Sequence, residues 1–121
     1  MTKIVVIVLA EGFEEIEAIT PIDVLRRAGL QVMIAGVGGK EITGAHGIKV
    51  GTDMALEDYR GVPDAVVLPG GLPGADNLKK SKAVEALLKR VKESQKIIAA
   101  ICASPARVLA PQGILDGKKA A

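Results

Sequence analysis

The chain has 121 residues, 49% of them hydrophobic and 25% charged, with a formal net charge of +2, one cysteine and one histidine. That length accommodates one domain, residues 1–121, with a sizeable core, and the balance excludes a disordered chain. Lysines and arginines are interleaved with acids instead of forming a basic stripe, which argues against nucleic acid binding, and a single cysteine excludes an internal disulfide.

Aromatic residues are only 2%, so Val, Ile, Leu and Ala must fill the core, which favours a sheet covered by helices. The run Ile4–Ala10 follows Lys3 like the apolar part of a secretory signal. It is far shorter than the roughly 20 residues that span a bilayer, and Glu11, Glu14, Glu15 and Glu17 come directly after it. We read Ile4–Leu9 as a first buried strand and expect a cytoplasmic protein, without membrane contact, whose thiol stays reduced. From Glu14 to Ala28, Ile16, Ile19, Val24 and Leu25 recur at helical spacing before the closing signals Arg26, Arg27 and Gly29. Pro21 inside this helix predicts a kink or a split.

Gln31–Ala35 reads as a second strand, completing a βαβ unit. Residues 41–53 carry two weak strand signals around Gly44–Gly47, as an antiparallel excursion would. Ala65–Leu68 is a third central strand with a glycine-rich exit at Pro69, Gly70 and Gly71, and Ala83–Lys92 is an amphipathic helix through Val84, Leu87, Leu88 and Val91. Ile97–Ile101 is a fourth strand, and Ser104–Leu109 opens another helix with Pro105 in its first turn. After a turn at 113–117, Lys118–Ala121 resembles the start of a further strand. Alternating strands and helices predict an α/β fold, a doubly wound, flavodoxin-like or Rossmann-like three-layer sandwich around a mostly parallel sheet.

Ligands of such sheets bind beyond the carboxyl ends of the strands, where the loops 11–17, 69–74 and 102–105 converge. Cys102 occupies a strand-to-helix turn of the nucleophile-elbow kind, which exposes the sulfur and aims the next helix's N-terminus at it, favouring a thiolate. It reads equally as a small buried hydrophobe. Glu17 is placed to face Cys102 and to donate from a protonated carboxyl to the thiolate; the alternative makes Glu14, Glu15 and Glu17 a favourable acidic first turn only. Gly70 and Gly71 let the backbone approach a ligand and present amides to an oxyanion. Their sequence matches neither phosphate-loop nor dinucleotide patterns, so no cofactor is expected. His46, in a glycine-flanked loop, reads as a solvated turn residue, and no metal is expected.

Ala-Glu-Gly-Phe-Glu-Glu-Ile-Glu at 10–17, Val-Val-Leu-Pro-Gly-Gly at 66–71 and Ala-Ala-Ile-Cys-Ala-Ser-Pro at 99–105 resemble the ThiJ/PfpI superfamily, and within it the DJ-one (parkinsonism-associated protein deglycase) branch. The resemblance runs along essentially the whole chain. It implies a flavodoxin-like homodimer with Cys102 as nucleophile, Glu17 as its protonated partner, and oxyanion amides around Gly70, Gly71 and Ala103. The implied activity is a cofactor-free glyoxalase or protein deglycase acting on α-oxoaldehydes such as methylglyoxal or their early adducts. A redox-sensing stress chaperone and a PfpI-type peptidase are the alternatives. Members of the superfamily run past this length, and many place an assisting histidine beyond the point where this chain ends. The expectation is therefore an incomplete C-terminus, its remainder lost or present as a separate fragment, with a naturally truncated protein as the alternative.

Overall fold

A computed structural model describes residues 2–114; the expected strand start at Lys118–Ala121 lies outside them. Seven strands form: β1 (Ile4–Leu9), β2 (Gln31–Gly36), β3 (Glu41–Thr43), β4 (Lys49–Gly51), β5 (Met54–Ala55), β6 (Ala65–Leu68) and β7 (Ile97–Ala100). Five make one sheet in the order β5-β2-β1-β6-β7, every pairing parallel, while β3 and β4 pair antiparallel as a separate hairpin. The chain runs outward from β1 to β2 and later returns to the other side of β1, so the topological switch lies between β1 and β6. This is the predicted α/β architecture, with the excursion at 41–53 realised as the hairpin; the short edge strand β5 was not anticipated.

The sheet is covered on both faces. Val6, Val8, Val66 and Leu68 pack against Leu78 of α2 (Gly74–Lys80), against Val84, Leu87, Leu88 and Val91 of α3 (Lys82–Glu93), and against Val108 and Leu109. Val5, Ile7, Leu9, Ile34 and Val67 pack against Phe13 and against Ala18 and Ile22 of α1 (Glu15–Arg27). The period-two alternation along β1 thus feeds two cores, as a strand buried on both faces must. Ser81 caps α3 by accepting from the Val84 N–H at 3.2 Å.

Three sequence expectations change. α1 runs unbroken through Pro21, because a proline there forfeits one backbone bond, to the Glu17 carbonyl four residues back, and the remaining turns hold. Of the four apolar positions that recur at helical spacing, only Leu25 packs against the core; Ile16 is 73% exposed, Ile19 41% and Val24 55%, whereas Glu15, Ala18 and Ile22 are buried. The α-helix expected after Cys102 is a π turn, Pro105–Leu109, continued by a 3₁₀ turn, Ala110–Gln112.

Candidate active site at the carboxyl end of the sheet

Three loops meet beyond the carboxyl ends of β1, β6 and β7, beside the switch point, where an open α/β sheet leaves a crevice. Cys102 leaves β7 with φ +58°, a left-handed backbone that costs a non-glycine residue on the order of 1–2 kcal/mol. Its neighbours hold it there. The Ile101 N–H still bonds to the Leu68 carbonyl at 3.1 Å, and the Ser104 N–H closes a turn onto the Ile101 carbonyl at 3.1 Å. Fully buried Ser104 donates its hydroxyl to the Pro69 carbonyl at 2.7 Å, tying the elbow to the exit of β6. Cys102 itself is exposed, so it is not the buried hydrophobe that its residue type allows.

Gly70 is the junction of the site. Its N–H donates to Glu17 Oε1 at 2.9 Å, and its carbonyl accepts from the Glu14 N–H at 3.0 Å. A methyl group placed on its Cα would lie 2.7 Å from Glu17 Oε1, 2.8 Å from the Cys102 Cβ and 2.8 Å from the Ile101 carbonyl oxygen, so the carboxyl group and the cysteine flank one glycine. Gly71 follows with φ +91° and packs equally tightly on Glu14. Glu17 and Cys102 are thus brought together, but not by the direct bond expected of them: the carboxyl oxygen of half-buried Glu17 takes the Gly70 amide. That bond also engages one amide expected to face an oxyanion. The N–H groups of Gly71 and Ala103 have no protein acceptor among the described residues. The helix N-terminus expected to aim at Cys102 is that of a π turn, a local feature common at functional sites.

One residue was misjudged from sequence, and its partner His46 is the exposed turn residue expected. Glu15 is no solvated first-turn acid: it is 6% exposed, and its carboxylate accepts from the backbone N–H groups of His46 at 2.8 Å and Ile48 at 3.3 Å and from His46 Nδ1 at 2.9 Å. Burial opposes its charge, but the His46 ring and the backbone donors outweigh burial and bring its pKa down to about 2. The same bond, with the charges of Glu14 and Glu15 added, raises the pKa of His46. A signal existed in sequence, since Gly44 and Gly47 bracket His46: a Cβ at Gly44 would collide with the Glu15 carboxylate. Glu14, Glu15 and His46 place possible metal-ligating atoms within 4.8 Å of one another. Because the Glu15 carboxylate is already satisfied by three donors, we read the group as a hydrogen-bonded unit and assign it no metal.

A parallel α/β sheet carrying an exposed cysteine on a strained strand-to-helix elbow, beside a carboxyl group and a glycine turn, defines a cysteine-elbow α/β protein. Residues 3–121 match the DJ-1/PfpI family model, and the chain belongs to that family. It is 45% identical over 118 residues to a Parkinson disease protein 7 homolog of Danio rerio, covering 95% of this chain and 62% of that one. It is 37% identical over 116 residues to a deglycase of Thermococcus kodakarensis, covering 95% and 69%, and 41% identical over 101 residues to a glutathione-independent glyoxalase of Caenorhabditis elegans, covering 83% and 54%. The solved structure of oxidized Toxoplasma gondii DJ-1 superposes with a TM-score of 0.93 at 40% identity, over 99% of this chain and 66% of that one. The chain therefore spans about two thirds or less of most of these proteins. Among the described residues no helix is long and apolar enough to cross a membrane.

Proposed function

We propose that the chain carries a cysteine-dependent site, working without a cofactor, that converts small α-oxoaldehydes such as methylglyoxal, or their early adducts on proteins, to 2-hydroxy acids. The observation that carries this reading is the exposed, left-handed Cys102 separated from the Glu17 carboxyl only by Gly70. The names of the deglycase and glyoxalase relatives point the same way. In this mechanism the Cys102 thiolate adds to the aldehyde carbon, the π pair moves to oxygen, and that oxygen takes a proton from Glu17, forming a hemithioacetal. The hydrogen on the same carbon then leaves as a proton to Glu17 and returns, through an enediol, to the neighbouring carbon, while the hydroxyl proton passes to the neighbouring oxygen, which turns the hemithioacetal into a thioester. Water cleaves the thioester and regenerates the thiol. The sum is one aldehyde plus one water giving one hydroxy acid, with no external oxidant or reductant. The Gly71 and Ala103 amides are the available oxyanion donors.

The test compares methylglyoxal consumption by wild type, Cys102→Ala and Glu17→Ala. Loss of turnover in both variants is expected; equal rates in wild type and Cys102→Ala would sink the mechanism. The exposure of the thiol supports a second reading, a redox sensor in which two equivalents of peroxide oxidise Cys102 to a sulfinate beside Glu17. Mass spectrometry after mild peroxide tests it, with a gain of two oxygens on Cys102 expected and an inert cysteine excluding it. We place either chemistry in the cytoplasm, which keeps the thiol reduced, and in a homodimer that covers the outward Ile16, Ile19 and Val24 of α1. Sedimentation as a monomer would remove the dimer.

A further inference from the structure

The hairpin β3–β4 has three residues in each strand, too little to persist alone. It is held against the loop that leads into α1. The Gly12 N–H donates to the Thr43 carbonyl at 2.9 Å, the Ala45 N–H to the Phe13 carbonyl at 2.8 Å, and the Thr43 N–H to Glu11 Oε2 at 3.0 Å. The turn of the hairpin, 44–48, closes on itself through Gly44 and Ile48 and delivers three donors to the buried Glu15 carboxylate. On its other side the same loop carries Glu14, bonded to the Gly70 carbonyl, and Glu17, bonded to the Gly70 N–H. A continuous set of hydrogen bonds thus runs from His46 through Glu15 and the first turn of α1 to the glycine beside Cys102.

We propose that Glu15 and His46 form a clasp that positions the loop Gly12–Glu17 against Gly70, and that protonation of His46 tightens it. The His46 side chain is 68% exposed, so its ring exchanges protons with solvent while Nδ1 stays on Glu15. The titratable groups facing the ring are Glu14, at 3.8 Å, and Glu15, at 2.9 Å; no lysine or arginine pairs with either among the described residues. An imidazolium between two carboxylates strengthens the bond, and the neutral ring with its proton on Nδ1 keeps a weaker version. The sign follows from the raised pKa: the added stability is fully present below about pH 6.5 and fades as the pH rises through the higher folded value. Glu15 is a positioning residue in this arrangement, and its weight for turnover rests on the cysteine chemistry proposed above; the clasp does not.

The test follows amide and imidazole NMR signals against pH in a Cys102→Ser chain, so that no thiol ionises. The Gly12 and Gly70 amides are expected to move with the midpoint of the His46 ring. In a His46→Asn chain, whose side-chain amide offers a donor near the position of Nδ1 but does not titrate, these movements should vanish while the spectrum stays folded. Glu15→Gln should lower the His46 midpoint. Stationary Gly12 and Gly70 signals while the ring titrates, or an unchanged titration of them in His46→Asn, would overturn the clasp. Failure of the cysteine mechanism would show separately, as methylglyoxal consumption indifferent to Cys102→Ala.

Discussion

Gly70→Ala adds one methyl group at the point where the candidate site is most crowded. The new carbon would meet Glu17 Oε1 at 2.7 Å, the Cys102 Cβ at 2.8 Å and the Ile101 carbonyl oxygen at 2.8 Å. The carboxyl group can swing away, but the other two atoms are fixed to the backbone at the end of β7, so that backbone must shift. Overpacking of this kind costs about 1–3 kcal/mol, and swinging Glu17 away forfeits the bond between its carboxyl group and the Gly70 amide, about 1–3 kcal/mol if the donor is left unsatisfied. We expect a net loss of about 2–6 kcal/mol, which for a domain of this size lowers the Tm by on the order of 10–20 °C. Gly39→Ala is the control, because nothing lies within 4 Å of its added carbon and its backbone is not left-handed; its stability should change by no more than about 1 kcal/mol, in the favourable direction. Thermal melts monitored by circular dichroism read the first effect, and the rate of Cys102 alkylation by iodoacetamide reads the displaced elbow. A Gly70→Ala chain that melts and alkylates like wild type would refute the packing of Glu17 and Cys102 about this glycine.

Other consequences are as direct. Phe13, 1% exposed between α1 and the sheet, should cost about 3–5 kcal/mol on replacement by alanine, read from urea midpoints; a loss below about 1 kcal/mol would contradict its place in the core. Ser104→Ala leaves the Pro69 carbonyl without its 2.7 Å donor, and the expected loss of about 1–3 kcal/mol should come with slower Cys102 alkylation. Glu15 ionises near pH 2 in the folded chain against an ordinary 4.5, so its contribution is present above about pH 4.5 and disappears as the pH falls toward 2. Acid unfolding of Glu15→Gln should therefore lack part of the wild-type pH dependence in that window, and superimposable curves would count against the buried carboxylate.

Much of the fold was legible in the residues. The apolar runs at 4–9 and 65–68 are too uniformly hydrophobic for a half-exposed strand, the equally apolar run at 97–100 forms a strand but lies partly exposed at the sheet edge, and the Val84, Leu87, Leu88, Val91 spacing leaves α3 one face to bury. α1 shows where such reasoning stops. Period 3.6 tells which residues share a side of the helix, not which side meets the sheet. Buried Phe13, and Gly12 at φ +84°, set how the chain enters α1, and that entry turns Ile16 outward and Glu15 inward. Nor does sequence distinguish a π turn from an α turn after Pro105, because both begin with the same residues and differ in which carbonyl each N–H reaches.

Local preferences along the chain mark β1, β2, β6, β7, α1, α3 and the three loops that could meet, because strand and helix preference, capping and glycine turns are properties of neighbouring residues; the short β5 and α2 carry no such mark. Which carboxyl group meets which partner depends instead on long-range packing. Glu17 reaches the amide of Gly70, 53 residues away in the chain, and Glu15 reaches His46, 31 residues away. These pairings follow from strand order, since placing β6 and β7 beside β1 brings Gly70 and Cys102 to the first turn of α1, and docking the hairpin on the loop before α1 brings His46 to Glu15. No periodicity within a window of residues carries that information, because the contacts that create it close only when distant segments are packed together.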